Sequence, residues 1–142
     1  MALEDGPARE LIAHGLDQTL FVEAGAGSGK TTALVARVVN TVLDEQNPVP
    51  LRHIAAVTFT EKAAAELRDR LRAAFERTPA PLAQEALDEL DSAAIGTLHA
   101  FAKRILSEHP IEAGLPPLVE VLDEVASGVS VGSSRMEARS AT

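Results

Sequence analysis

Ala24-Gly25-Ala26-Gly27-Ser28-Gly29-Lys30-Thr31 is the stretch of this chain whose residue types and spacing most directly imply chemistry. Glycines let a backbone curl until successive N–H groups converge on an anion. A helix beginning at Lys30 would add the positive end of its dipole. In such a loop Lys30 would reach the β- and γ-phosphates of a nucleotide, and the Thr31 hydroxyl would sit on Mg²⁺, with Thr32 closing the motif. Ala24 stands where the pattern usually has its first glycine. A Gly/Ser linker would need neither Lys-Thr at its end nor the apolar run Leu20-Phe21-Val22 before it. A dinucleotide fingerprint is excluded, because its third glycine would fall at Lys30.

Two further stretches place polar and aromatic groups where strands should end. Thr58-Phe59-Thr60-Glu61-Lys62 follows the apolar run Ile54 to Val57, and Ile95-Gly96-Thr97-Leu98-His99-Ala100-Phe101 falls at the end of another predicted strand. In open α/β sheets ligands bind at the carboxyl ends of strands. Hydroxyls at a helix N-terminus can take a phosphate there, and an exposed Phe can stack on a base. Each residue also has a plain alternative: Phe59 in the core, Thr60 as a helix cap, His99 on the surface.

These residues need elements to hold them. The pattern predicts a helix over 8–15, a short buried strand over Leu20–Glu23, and a helix over 30–43. The apolar face of that second helix would be Ala33, Leu34, Val35, Val38, Val39, Val42 and Leu43. Asn47-Pro48-Val49-Pro50 ends it. A second strand is predicted over Ile54–Phe59, then a helix capped by Thr60 with apolar positions at Ala64, Leu67, Leu71 and Phe75. After Thr78-Pro79-Ala80-Pro81 the pattern predicts a helix over 82–90, a third strand over Ser92–Ile95 and a helix over 98–108. The βαβαβα order implies an α/β fold, a parallel sheet with helices on both faces. Residues 127–142 are Ser/Ala/Gly-rich without periodicity and read as a disordered tail after a domain spanning 1–126.

Composition narrows the classes further. The chain has 142 residues, 46% of them hydrophobic, and no cysteine, so neither disulfides nor thiolate metal sites arise. No stretch approaches a membrane span and the first residues do not form a signal peptide, so a cytoplasmic chain without membrane contact is expected. The net charge of −8 argues against nonspecific attraction to nucleic acid. Residues 52–77 nevertheless hold six basic and four acidic side chains, a strip that ordinary solvated helix faces also produce.

In this order, AGAGSGKTT, AVTFTEKAAAEL and IGTLHAFAKRIL resemble motifs I, Ia and Ib of the UvrD/RecB-type superfamily 1 DNA helicases, and look most like the RecB/AddA-like branch. The resemblance runs from about Arg9 to about Ala126, and Ala at position 24 is a variant that family uses. It implies a RecA-like P-loop NTPase fold that couples ATP hydrolysis to 3′–5′ translocation along single-stranded DNA, in repair or recombination. It implies that Lys30 and Thr31 hold ATP and Mg²⁺. Thr58, Phe59, Thr60 and Lys62 would face single-stranded DNA, with Thr97 and His99 contacting its backbone or supporting that strand. It also implies a nuclease or helicase partner subunit. Arg9 aligns with the family's adenine-reading glutamine, a departure that bears on base selectivity.

A helicase of this type also needs a Walker B Asp-Glu and arginine fingers from a second RecA-like domain. The sequence offers Asp123-Glu124 after Val119-Glu120-Val121-Leu122, and Asp88-Glu89 within a helical segment. The first follows Pro116-Pro117 and lacks the glutamine that comes next in the family; the second reads as the middle of a helix. The expectation is therefore a helicase fragment, truncated or frame-shifted, marginally stable, binding nucleotide weakly and not unwinding DNA. The alternatives are a small self-contained P-loop NTPase using Asp123 and Glu124, and a non-catalytic nucleotide-binding module.

Overall fold

Alternating apolar periodicities give the chain its order of elements. The computed structural model describes residues 6–25 and 27–114. They form α1 (Gly6–His14), α2 (Lys30–Val42), a 3₁₀ turn (Leu51–His53), β1 (Ala55–Thr58), α3 (Glu61–Glu76), α4 (Pro81–Glu89), β2 (Ala94–Thr97) and α5 (Leu98–Glu108). The chain divides into two compact units, residues 1–101 and residues 102–142. In the second, Arg104 pairs with Glu108 one turn along α5, at 2.8 Å.

The 3.6-residue period of α3 dictates its packing. Ala64, Leu67, Leu71 and Phe75 fall on one stripe and all four are buried. Around them close Val38 and Val42 of α2, Leu51, Ala83 and Ala86 of α4, Leu90, and Ala56 and Ile95 of the sheet. Thr60 caps α3, its hydroxyl accepting from Ala63 N–H at 3.1 Å. Pro81 opens α4, where its missing N–H costs nothing.

β1 and β2 run parallel, with Ala55 opposite Ala94, Ala56 opposite Ile95, Val57 opposite Gly96 and Thr58 opposite Thr97. α3 packs against both strands. Ala56 and its partner Ile95 are buried, while Val57, pointing to the other face, is 44% exposed. The parallel α/β unit is as predicted. Among the described residues α3 covers the face that carries Ala56 and Ile95.

Three expectations change. Leu20–Glu23 is not a strand: it has no ladder partner, and Phe21 is 94% exposed. A strand exists only where a neighbour takes its backbone hydrogen bonds, and among the described residues the sheet has two strands, β1 and β2. The last strand lies at Ala94–Thr97 rather than Ser92–Ile95, because Ser92 is still tied to the end of α4 through Glu89 O. Leu34, assigned to the apolar face of α2, is 41% exposed. The predicted tail and the Asp123-Glu124 pair lie outside the described residues.

Candidate functional site

Gly27 and Gly29 carry the turn into α2 at φ +74° and +81°, a region costly for any residue with a Cβ. Gly29 is also the N-cap of α2 and supplies no side-chain acceptor. Helix geometry aims the first-turn N–H groups out of that end, where an anion can meet them. Ser28 braces the loop from inside, its Oγ donating to Gly25 O at 2.7 Å. Lys30 folds back over it, with Nζ donating to Ala24 O at 2.7 Å and to Gly25 O at 3.1 Å. Thr31 is half-buried on the first turn of α2. The Thr32 hydroxyl is met by Arg70 Nη1 at 3.4 Å, so the middle of α3 reaches the start of α2. Ala26 is outside the described residues.

Beside the loop lies a cleft of about 510 Å³, with Ala8, Arg9 and Ile12 of α1, Leu20 and Val22, and Lys30, Ala33 and Leu34 of α2 among its walls. Arg9 Nη2 donates to Ser28 O at 2.7 Å, joining α1 to the loop. The family resemblance implies a place for Arg9 near the nucleotide base; its bond to the loop backbone was not legible in the sequence.

The parallel register fixes the second group of residues. Thr58 and Thr97 are opposite one another at the carboxyl ends of their strands, and a helix starts just beyond each. Phe59 is 96% exposed, and Thr60, Lys62 and His99 are exposed as well. Thr58 Oγ1 donates to Thr60 O at 3.0 Å, shaping the turn that throws Phe59 outward. Thr97 differs from the rest: it is 7% exposed, donates to Glu61 Oε1 at 3.1 Å and accepts from Ala100 N–H at 3.2 Å. Glu61, which the motifs alone did not single out, is the link between the two turns. Its signal was an acid in the first turn directly after a threonine cap.

The second acidic candidate is committed elsewhere. Glu89 ends α4, accepts Arg52 N–H at 3.0 Å and pairs with the Arg52 guanidinium. Those bonds hold its carboxyl below the usual range, the Arg52 N–H contributing most. Among the described residues no cluster of three or more His, Asp or Glu side chains could hold a metal ion. Among them too, no helix is long and apolar enough to cross a membrane.

Residues 6–138 match the model of the UvrD/REP helicase N-terminal domain. The chain belongs to that family. It is also similar to curated relatives that are each named as one subunit of an ATP-dependent helicase/nuclease. It is 38% identical to the one from Desulforudis audaxviator over 118 residues, 80% of this chain and 10% of that protein. It is 35% identical to that of Acetivibrio thermocellus over 118 residues, covering 80% and 9%. With that of Moorella thermoacetica it shares 39% over 109 residues, covering 73% and 8%. This UvrD/REP-type chain thus spans about a tenth of the length of those relatives.

Proposed function

We propose that this chain is the nucleotide- and DNA-gripping part of an ATP-dependent DNA helicase, with a RecA-like fold. The observation that carries this reading is the arrangement of three strand- or loop-to-helix junctions. One has the glycines, uncapped helix start and lysine of a phosphate site. The other two lie side by side in a parallel register and present Phe59, Lys62 and His99 to solvent. The family match supports the same reading.

In this reading ATP lies with its phosphates on residues 24–32. The donor set fits: backbone N–H groups at a helix start, a lysine ammonium and a threonine hydroxyl. Lys30 exchanges its carbonyls at Ala24 and Gly25 for phosphate oxygens. The Thr31 hydroxyl would be one ligand to a Mg²⁺ arriving with the nucleotide. Phe59 stacks on a base, while Thr60, Lys62 and His99 meet the backbone of single-stranded DNA. Thr58 and Thr97 shape those turns. Hydrolysis coupled to 3′–5′ translocation, a role in repair, and a nuclease or helicase partner subunit belong to the larger protein. This chain binds nucleotide and does not unwind DNA.

The test is Mg²⁺-ATP binding by the purified chain, with Lys30→Ala as control, followed by ATPase assay with and without single-stranded DNA. Binding lost in the variant, with no turnover, is expected. Robust DNA-stimulated hydrolysis would overturn the non-hydrolytic part. It would make Asp123 and Glu124 the acidic pair of a self-contained enzyme.

A further inference from the structure

α1 buries no side chain, yet it forms a wall of the cleft beside the phosphate loop. Ile12 and Ala13 are half-buried, so apolar packing seats it only in part. The rest of what holds it is polar and comes from α2. Arg37 donates through Nη1 to Ile12 O at 2.9 Å and to Gly15 O at 3.0 Å, and through Nη2 to Gln18 O at 3.0 Å. One turn along, Asn40 Nδ2 donates to Ala13 O at 2.9 Å. The carbonyls at and just beyond the end of a helix lack intrahelical partners, and a cation there also meets the negative end of the dipole. A guanidinium presents its five N–H donors in a rigid planar fork, whereas an ammonium has three rotatable donors on one atom and no fixed geometry.

The turn that presents those carbonyls depends on Gly15. A Cβ at that position would meet Leu11 O at 2.8 Å and Leu11 Cδ1 at 2.9 Å, and the first of these is backbone that cannot swing away. At the other end of the same helix Arg9 donates to Ser28 O, and its Nη1 lies 3.2 Å from where a Gly29 Cβ would be. The contacts close a ring: Arg37 on α2 seats α1, α1 carries Arg9, and Arg9 holds the loop that leads back into α2.

We propose that Arg37 is a positioning residue for the nucleotide site, acting through α1 and Arg9 on the conformation of the phosphate loop. The proposal rests on the nucleotide reading above, but the clamp itself can be read without nucleotide. In Arg37→Ala the wall of the cleft loosens, and Mg²⁺-ATP affinity falls at least tenfold. Arg37→Lys keeps the charge but not the fork, and recovers only part of that loss. Gly15→Ala attacks the clamp from the opposite side and weakens binding in the same direction. Arg72→Ala, which breaks a surface pair with Asp91, is the control and leaves binding unchanged.

The deciding measurement is amide hydrogen exchange on the full chain, paired with the binding titration. Loss of protection confined to 10–16 and to the Ser28 N–H, the loop amide bonded to Gly25 O, in Arg37→Ala, with α3 still protected, is the expected result. Equal loss across α3 would mean that Arg37 supports the core alone, and would overturn the proposal. So would wild-type affinity in Arg37→Ala. If the wild-type chain binds no nucleotide, the phosphate-site reading fails, and the exchange pattern still decides whether Arg37 orders the loop.

Discussion

Thr97 and Glu61 join the two turns at the sheet's carboxyl edge: the buried hydroxyl donates to Glu61 Oε1 at 3.1 Å while accepting Ala100 N–H at 3.2 Å. One small side chain thus caps α5 and ties down the first turn of α3. Replacing it with valine keeps the shape and removes both bonds, leaving a helix-start N–H without its cap. The expected cost is about 1–2 kcal/mol. Thr97→Ser should recover most of it. A urea titration checks this as a lower midpoint with unchanged slope.

Phe59 makes the opposite case, a large apolar side chain that the fold leaves 96% exposed. Removing it takes nothing from the core, so Phe59→Ala should move stability by no more than about 0.5 kcal/mol. If the ring stacks on a base, single-stranded DNA binding should weaken by about 1–3 kcal/mol. Fluorescence anisotropy with a labelled oligonucleotide measures this. Unchanged binding would remove Phe59 from the DNA interface.

Much of this arrangement was legible in the sequence where the deciding forces are local. The stripe Ala64, Leu67, Leu71, Phe75 states the buried face of α3, and Thr60 before Glu61 states its cap. Gly27 and Gly29 state a loop needing positive φ. What was not legible depends on partners distant in sequence. Leu20–Glu23 has strand-like residues but, among the described residues, no strand beside it, so composition alone misassigned it. β2 is shifted toward Thr97 because its limits are set by the register opposite Thr58, not by its own apolar run. Arg37 looks like a lone charge interrupting the apolar α2, and only the carbonyls at the end of α1 explain it. Glu61 was hidden for the same reason, since its partner lies 36 residues away.

Two carboxylates give the fold an acid limit. Asp44 is held below its usual range by hydrogen bonds from Asn47 N–H and then Gln46 N–H, and Glu89 chiefly by Arg52 N–H. A pKa lower in the folded chain than in the unfolded one contributes stability above the unfolded value. That contribution is lost as pH falls through the folded value. Stability should therefore hold near neutrality and decline as pH drops below about 4. Glu89→Gln should flatten part of that decline while lowering stability at neutral pH. Urea midpoints across the acid range check the sign. A midpoint rising on acidification would contradict it.

Folding and nucleotide binding should separate cleanly between two substitutions. Phe75 is 1% exposed at the centre of the cluster joining α2, α3, α4 and the sheet. Phe75→Ala therefore leaves a cavity costing about 3–5 kcal/mol. Small domains have about 5–15 kcal/mol in all, so that loss is a large fraction of the whole. Phe75→Ala should lose its cooperative melt and its nucleotide binding together. Lys30 is exposed, with its ammonium on loop carbonyls, so Lys30→Ala should leave the melt in place. Its Mg²⁺-ATP binding should nevertheless be gone. Circular dichroism melts beside calorimetric titrations of both variants provide the check. A Lys30→Ala chain that melts normally and still binds ATP as wild type would remove the phosphate loop from the site.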